Sequence, residues 1–403
     1  VTEAVPLYIT SFLILFLSSV FLAPAMGIKY GGFFAPFFSP TVVLFLGGFA
    51  LARALERYCL NEWIAGFILS RVGSKPQALL LGAMGVSAFL SMWMSNTATT
   101  TLVLAVILPF LRSLDQGDPY RKALILGVPF AANIGGMGTP VGTPPNAIAL
   151  GALRHAGLSI TFTEWVLIAA PLVIFFLFVI YFLLFAIFPP RVKSIEVNLS
   201  EQERVGKKEL FIAGTALLTV VLWLTTSFHK LPSAIVALLP VIVFFGGGLL
   251  KRDDFFTLGW DVLILIGGGL VLGDAMAKSG LSAWVVSSLG IEGLSFYGLF
   301  VGAIVITALL TNFISNTSTA ALIIPVVLGS ASGSPVVLAV GVALSASASM
   351  ILPISTPPNA IAYGTGLVSV KDMAKAGAII TVGMVVFLCT VALLYWKLIG
   401  FLR

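Results

Sequence analysis

The chain has 403 residues, of which 59% are hydrophobic and 9% are charged, and its formal net charge is +6. A soluble domain carries about a quarter charged residues, so this composition excludes a soluble globular protein. Apolar segments of about 20 residues, long enough to cross a bilayer, recur along the chain. Lipid offers no partner for free backbone groups, so such segments form helices. The sequence therefore predicts an all-α polytopic membrane protein.

Nine apolar segments are long enough for complete spans. In chain order they lie at residues 6–25, 41–60, 123–153, 163–188, 209–228, 232–250, 260–279, 335–366 and 374–401. Cys59 and Cys389 lie in apolar segments without metal-ligand spacing, which indicates that they are small apolar side chains. Because the chain starts at Val1 and enters a span almost at once, we expect its N-terminus to be incomplete.

Two further apolar stretches carry a polar cluster at their middle. The clusters are Ser95-Asn96-Thr97 in 76–110 and Ser315-Asn316-Thr317 in 294–329. Division at the cluster leaves two arms that are each too short to cross a bilayer. Irregular backbone at that depth is tolerated only where protein or a water-filled cavity covers it. We therefore predict two re-entrant hairpins, over 76–110 and over 294–329.

Adjacent prolines interrupt two of the complete spans. Pro144-Pro145 lies within 123–153, and Pro357-Pro358 lies within 335–366. Proline removes a backbone donor and its ring clashes with the preceding turn, so we predict that both helices break. Broken helices at matching places in two halves of a chain are typical of the binding site of a secondary transporter.

The motifs of the first half recur in the same order in the second half. The segment from Ser95 to Thr99 matches the segment from Ser315 to Thr319. Thr143-Pro144-Pro145-Asn146-Ala147-Ile148-Ala149 matches Thr356-Pro357-Pro358-Asn359-Ala360-Ile361-Ala362. This similarity indicates an internal duplication.

The two copies are predicted to be inverted in the membrane. From the span at 41–60 to its partner at 260–279 the predicted chain crosses the bilayer five times, which is an odd number. If 61–75 is cytoplasmic, 16 of the 22 Lys and Arg residues lie on the cytoplasmic side, as the positive-inside rule expects. Their dispersal among short loops argues against a nucleic-acid-binding face. We predict a first repeat over 1–189, a cytoplasmic interfacial linker over 190–208 and a second repeat over 209–403.

The candidate site lacks ionisable side chains. No Asp, Glu, Lys or Arg occurs in 76–111, 123–153 or 293–370. Helix N-termini suit an anion, whereas helix C-termini and neutral oxygens suit a sodium ion. Proton coupling usually depends on an intramembrane Asp, Glu or His. The residues therefore favour sodium-coupled transport of a small dianion.

Several alternatives stay open at this point. An exchanger without a coupling ion, a carrier of sulfate or another oxyanion, and a channel are all compatible with neutral windows. An intramembrane enzyme would need a titratable acid, base or nucleophile at depth. Since these windows offer only hydroxyls and amides, we do not expect an enzyme.

At the paired Ser-Asn-Thr and Thr-Pro-Pro-Asn motifs the chain resembles the divalent anion:sodium symporter (DASS) family, the INDY-type carriers of dicarboxylates and citrate. The resemblance covers essentially the whole chain. It implies a homodimer with an elevator mechanism, whose moving domain holds the hairpins and the broken helices. Expected substrates are C4-dicarboxylates such as succinate, or citrate, and we expect the bacterial inner membrane. The opening residues 2–6 are similar to the family's third helix, which implies that two of eleven helices are absent.

The resemblance also implies ligands for sodium and for the substrate. For the first sodium ion it implies Ser91, Ser95, Asn96 and Gly142, and for the second it implies Thr311, Ser315, Asn316 and Ser355. For the substrate it implies Asn96, Thr97, Thr143, Pro144, Asn316, Thr317, Thr356 and Pro357. All the oxygen-bearing positions are present, so the pattern alone does not separate the family's symporters from its exchangers.

Overall fold

The structure is a computed structural model that describes residues 5–111, 114–195, 205–291, 293–330 and 333–402. Within these ranges every regular element is a helix and no strand occurs. The all-α fold predicted from composition is confirmed. Residues 1–4, which belong to the segment compared with the family's third helix, and residues 196–204 of the predicted linker lie outside the described ranges.

Five helices of the described ranges are long and apolar enough to cross a membrane. They are Leu7–Ala25, Gly31–Arg57, Phe162–Ile187, Arg252–Lys278 and Val370–Leu398. Large apolar side chains on these helices are exposed, such as Phe16 at 59% and Phe182 at 66%. In water such exposure would be costly, whereas in a bilayer these side chains meet lipid. The protein is therefore an integral membrane protein.

Two antiparallel helix pairs lie at the predicted re-entrant segments. We call Pro76–Ser91 and Asn96–Leu111 the first hairpin, and Phe296–Leu310 and Asn316–Leu328 the second hairpin. The arms of each pair pack against each other. In both hairpins the turn between the arms ends at the Ser-Asn-Thr motif, and the second arm begins at its asparagine.

Two further helices are interrupted where the prolines predict a break. The first broken helix consists of Tyr120–Gly135, a 3₁₀ turn at Gly136–Gly138, and Pro144–His155. The second consists of Pro335–Ala346, a 3₁₀ turn at Pro353–Ser355, and Pro357–Gly364. In each, the second half starts at the Pro-Pro pair, because proline at the first position of a helix has no N–H to leave unpaired.

The hairpins and the broken helices pack across the two halves of the chain. Asn96–Leu111 lies against Tyr120–Gly135 and also against Pro357–Gly364 from the other half. Asn316–Leu328 lies reciprocally against Pro335–Ala346 and Pro144–His155. This exchange brings all four motifs into one region of the molecule.

The remaining helices are shorter. They are Leu60–Val72, Lys207–Leu224, Thr226–His229, Ser233–Val236, Leu238–Gly246 and Leu281–Ser288. The span predicted over 232–250 is too long, since the apolar helix covers Ser233–Gly246. It ends there because Gly248 adopts a left-handed conformation (φ +69°) and the Leu249 N–H closes the turn on Phe244 O at 2.9 Å.

A helix occupies most of the segment 61–75, which the predicted topology places on the cytoplasmic side. Leu60–Val72 begins after Cys59, whose backbone is left-handed (φ 52°). The Trp63 and Phe67 rings stack with centroids 4.9 Å apart, and the Arg71 guanidinium lies 3.5 Å from the Phe67 centroid. These ring-stacking and cation–π contacts between side chains one turn apart stabilise the helix.

A charged cluster joins Gly31–Arg57 to Arg252–Lys278. Asp254 is 1% exposed and accepts hydrogen bonds from Arg53 Nε at 3.1 Å and Arg57 Nη1 at 2.5 Å. It also accepts the Lys251 N–H at 2.7 Å. Removal of the carboxylate would leave Arg57 without this partner and Arg53 paired only with Glu56, whose Oε2 lies 3.0 Å from Arg53 Nη1.

We expect Asp254→Ala to lower the free energy of unfolding by about 1–3 kcal/mol, less than for a fully buried pair because solvent screens the half-exposed arginines. Thermal unfolding in detergent micelles measures this change. Asp253→Ala is the matched control, since its side chain is exposed on the same helix. Equal melting temperatures for the two variants would contradict the prediction.

Candidate substrate and ion site

Four helices of the described structure begin at the paired motifs. Their first residues are Asn96, Pro144, Asn316 and Pro357. The first N–H groups of a helix have no intrahelical partner, and the helix dipole favours negative charge there. The N-termini at Asn96 and Asn316 therefore offer N–H donors to an anion without any charged side chain. The helices at Pro144 and Pro357 contribute their dipoles, because their first two residues are prolines without an N–H.

In the first half, three oxygen atoms crowd around one hydroxyl hydrogen. Ser91 Oγ lies 2.5 Å from Asn96 Oδ1 and 2.7 Å from Ala132 O. Ser91 is fully buried. A hydroxyl carries one hydrogen, so it can donate fully to only one of these two acceptors. An oxygen cluster that is short of hydrogens is suited to a small hard cation.

The Gly142 carbonyl lies beside the same cluster. Asn96 Oδ1 and Gly142 O are 2.7 Å and 3.0 Å from the position that a Cβ on Gly136 would occupy. Ser91, Asn96 and Gly142, three of the four residues predicted for the first sodium ion, therefore share one small region. Ser95 does not join them, because its exposed hydroxyl accepts the Ala98 N–H at 3.2 Å and serves the start of the helix.

The second half repeats the arrangement with different side chains. Thr311 Oγ1 lies 2.7 Å from Asn316 Oδ1 and 2.5 Å from Ala346 O. Ser349 Oγ donates to the same Asn316 oxygen at 2.7 Å. When the two Thr-Pro-Pro-Asn segments are aligned, Ser349 takes the position of Gly136. The oxygens of this cluster share two hydroxyl hydrogens, so it too has spare lone pairs.

The other two residues predicted for the second sodium ion, Ser315 and Ser355, form side-chain hydrogen bonds outside this cluster. Ser315 Oγ caps its helix by accepting the Ser318 N–H at 3.1 Å. Ser355 Oγ donates to Asn312 O at 3.0 Å, and Asn312 is not among the predicted ligands. Ser355 is therefore held against the turn of the second hairpin, rather than hydrogen-bonded to Asn316.

The residues predicted for the substrate surround the helix N-termini. Thr143, Thr317 and Thr356 are 3%, 7% and 5% exposed. Thr97 and Pro144 are half-buried, and Pro357 is exposed. Thr356 Oγ1 accepts the Asn359 N–H at 3.3 Å and so caps the second half of the second broken helix.

One fully buried side chain connects the two halves of the site. Asn133 Oδ1 accepts from Asn96 Nδ2 at 3.3 Å, and Asn133 Nδ2 lies 3.4 Å from both Thr356 Oγ1 and Asn359 Oδ1. It therefore contacts ligands predicted from both repeats. In the sequence, Asn133 is one of several residues that interrupt a predicted span. Its position as a polar residue in an apolar segment is the feature that could have indicated a functional role.

Two further asparagines hold the breaks in shape. Asn146 Nδ2 donates to Gly136 O at 3.0 Å and to Thr139 O at 2.8 Å. Its counterpart Asn359 donates to the carbonyls at the two equivalent positions of the second half, at 3.2 Å and 3.1 Å. Both asparagines are fully buried. The asparagine after Pro-Pro thus positions the loop that carries the ligands.

Replacement of Asn133 tests its positioning role. In Asn133→Ala the buried groups of Asn96 and Asn359 lose their partner, which costs about 1–3 kcal/mol for each unsatisfied group. We expect the apparent sodium affinity to fall about tenfold, equivalent to about 1.4 kcal/mol. The sodium dependence of substrate uptake measures this shift.

The matched control is Asn61→Ala, because Asn61 is 1% exposed and neither atom of its amide has a hydrogen-bond partner within the described residues. We expect this control to keep the sodium affinity of the wild type. A normal sodium dependence in Asn133→Ala would show that this link does not position the ligands.

Comparison with known proteins shows the family of the chain. The family model described as citrate transporter matches residues 1–340. The chain is 33% identical over 420 residues to a sodium-dependent dicarboxylate transporter, SdcS, of Staphylococcus saprophyticus, covering 94% of this chain and 80% of the relative. It is 31% identical over 419 residues to the inorganic phosphate transporter PHO87 of Saccharomyces cerevisiae, covering 98% of this chain and 45% of the relative. The chain spans about half the length of the yeast relatives that it matches.

A solved structure shares the fold at low sequence identity. The antimetabolite efflux pump MtrF of Neisseria gonorrhoeae superposes with a TM-score of 0.60 at 14% identity, over 96% of this chain and 95% of MtrF. Family and relatives are transporters, in agreement with the expectation that the protein is not an enzyme. The protein is a secondary transporter of the dicarboxylate/citrate type, and the chain belongs to the family that its paired motifs indicated, the divalent anion:sodium symporters.

Proposed function

We propose that the protein carries a small dicarboxylate, such as the C4-dicarboxylate succinate, or citrate, across the bacterial inner membrane together with sodium ions. One observation carries this proposal. Around Asn96 two acceptors share one hydroxyl hydrogen, and around Asn316 four oxygen atoms share two, beside the helix N-termini at these two asparagines. The first feature suits a cation and the second suits an anion.

Neighbouring cation and anion sites give a physical reason for coupling. A dianion placed alone in a low-dielectric region has a large desolvation cost. A sodium ion at each asparagine would place positive charge within a few ångströms of the carboxylates and lower this cost. Because the windows around the motifs contain no ionisable side chain, the coupling ion itself supplies this charge.

For the movement we propose an elevator mechanism between two inverted repeats, 1–189 and 209–403, joined by the linker 190–208. The moving body would consist of the hairpins and the broken helices, whose reciprocal packing makes them a natural rigid unit. The scaffold would include Gly31–Arg57 and Arg252–Lys278, which the cluster around Asp254 joins. A homodimer would hold this scaffold still in the membrane.

A second candidate, an oxyanion carrier, is favoured by the name of the PHO87 relative. Phosphate and sulfate are tetrahedral oxyanions that helix N-termini also bind well. A dicarboxylate differs in having two anionic groups several ångströms apart, one for each motif in this proposal. Competition between the two kinds of anion separates these candidates.

Uptake into proteoliposomes tests the proposal. Purified protein should accumulate labelled succinate when an inward sodium gradient is imposed, and choline in place of sodium should abolish this accumulation. Excess unlabelled succinate or citrate should compete, whereas sulfate and phosphate should not. Sodium-independent uptake that requires internal succinate would identify an exchanger instead.

A further inference from the structure

A second cavity with a positive lining lies beside the first broken helix. Its volume is about 360 Å³. Arg154 and Lys230 line it, together with the hydroxyl-bearing residues Thr41, Ser159 and Ser233. No acidic residue of the described ranges lines it. The cavity extends to Pro140, which lies in the break of the helix shortly before Thr143.

The two cations of this cavity have no charged partner in the part of the chain that the structure describes. Within the described residues, no ion pair includes Arg154 or Lys230, and no hydrogen bond is formed by either side chain. The carboxylate nearest to Arg154 in the sequence is that of Glu164, whose Oε2 accepts from Thr161 N at 2.7 Å and Thr161 Oγ1 at 2.9 Å. That carboxylate is engaged at the start of its own helix.

The location of these cations is unusual for this chain. The predicted topology places 16 of 22 basic residues on the cytoplasmic side, so six remain for the other side. Two of those six line one cavity. Arg154 belongs to the first broken helix, Lys230 follows the short helix Thr226–His229, and Thr41 and Leu44 of Gly31–Arg57 line the same cavity. The cavity therefore lies between the proposed moving body and the proposed scaffold.

We propose that this cavity is a separate anion-binding antechamber, which captures a small di- or tricarboxylate from the external solution before it reaches the motif site. Two like charges beside low-dielectric walls concentrate an oppositely charged solute and raise its association rate. The hydroxyl groups supply neutral donors to the same carboxylates. This proposal depends on the proposed function for one point only, which is the identity of the anion.

Neutral variants test the capture step. Arg154→Gln/Lys230→Gln should lower kcat/KM for succinate uptake about tenfold at low ionic strength, with kcat unchanged, and should flatten its dependence on added choline chloride. Sodium is held constant throughout. Lys29→Gln is the matched control, because Lys29 is an exposed lysine that lines a different cavity on the same predicted side. An unchanged kcat/KM and salt dependence in the double variant would overturn the proposal.

A labelling experiment tests whether an anion binds in the antechamber, without measuring transport. In a Cys59→Ser/Cys389→Ser background, Ser159→Cys, at the wall of the same cavity, is treated with an anionic methanethiosulfonate, with succinate, citrate or inorganic sulfate as protecting anion. Protection should persist after Asn96→Ala/Asn316→Ala disables the motif site. Loss of protection in that variant would show that the anion does not bind in the antechamber. Failure of wild-type succinate uptake would instead contradict the proposed function.

Discussion

We expect Asn96→Ala and Asn316→Ala each to abolish sodium-dependent uptake while leaving a folded protein. Each amide oxygen is the acceptor on which its cluster converges, since Ser91 contacts Asn96 and both Thr311 and Ser349 contact Asn316. Loss of groups that merely orient a metal ligand lowers affinity about 10–100-fold, so loss of the ligand itself should exceed about 100-fold. Initial rates of succinate uptake under a sodium gradient measure the effect.

The control for these variants removes a polar group that touches only its own helix. Thr390 is exposed, and its hydroxyl donates to Val386 O at 2.6 Å. Thr390→Ala should keep the wild-type rate. Size-exclusion elution should match the wild type in all three variants. Sodium-dependent uptake at a normal rate in either asparagine variant would refute the site assignment.

Gly142→Ala should reduce uptake about 100-fold, comparable to the loss when a reacting group is misplaced by about 1 Å. A Cβ at this position would lie 2.4 Å from Gly136 O and 2.9 Å from Gly136 Cα. These are backbone atoms that cannot rotate away, so the loop must move. The movement displaces the Gly142 carbonyl from the neighbourhood of Asn96, and we expect the sodium concentration for half-maximal uptake to rise as well.

Gly85→Ala is the matched control for this glycine. Gly85 lies in the first arm of the first hairpin, and a Cβ there would have no neighbouring atom within 4 Å. Its uptake and sodium dependence should equal those of the wild type, or its stability should rise slightly because alanine favours a helix. If Gly142→Ala also transports normally, the close approach of the two loop segments is not needed for ion binding.

The antechamber and the motif site are proposed to attract the anion with different sources of positive charge. At the motif site, neutral groups are preorganised and the coupling ion is expected to supply positive charge. In the antechamber, Arg154 and Lys230 supply permanent positive charge at an exposed surface, where hydration keeps the cost of charge low. Permanent cations placed beside Asn96 and Asn316 would compete with sodium for the same anion and weaken the coupling.

Two local features of the structure could not be predicted from the sequence. The helix Leu60–Val72 is not apparent in the sequence because its charged and aromatic residues interrupt any continuous apolar span. In the structure, stacking of Trp63 on Phe67 stabilises this helix. The sequence does not reveal that Ser95 and Ser315 cap helices, because a serine before a helix can equally well face an ion or accept a backbone N–H. Only the direction of the side chain distinguishes the two.

By itself, the sequence determined the all-helical membrane class, the position of both motif pairs and the absence of ionisable groups around them. These follow from composition and from repeated short segments, which are local properties of the chain. Only the tertiary structure decided which atoms meet. Asn133 links Asn96 to Asn359, and Arg154 shares a cavity with Lys230, because the broken helix of each half packs against the other half. Contacts between residues far apart in sequence depend on helix packing, and no local pattern encodes them.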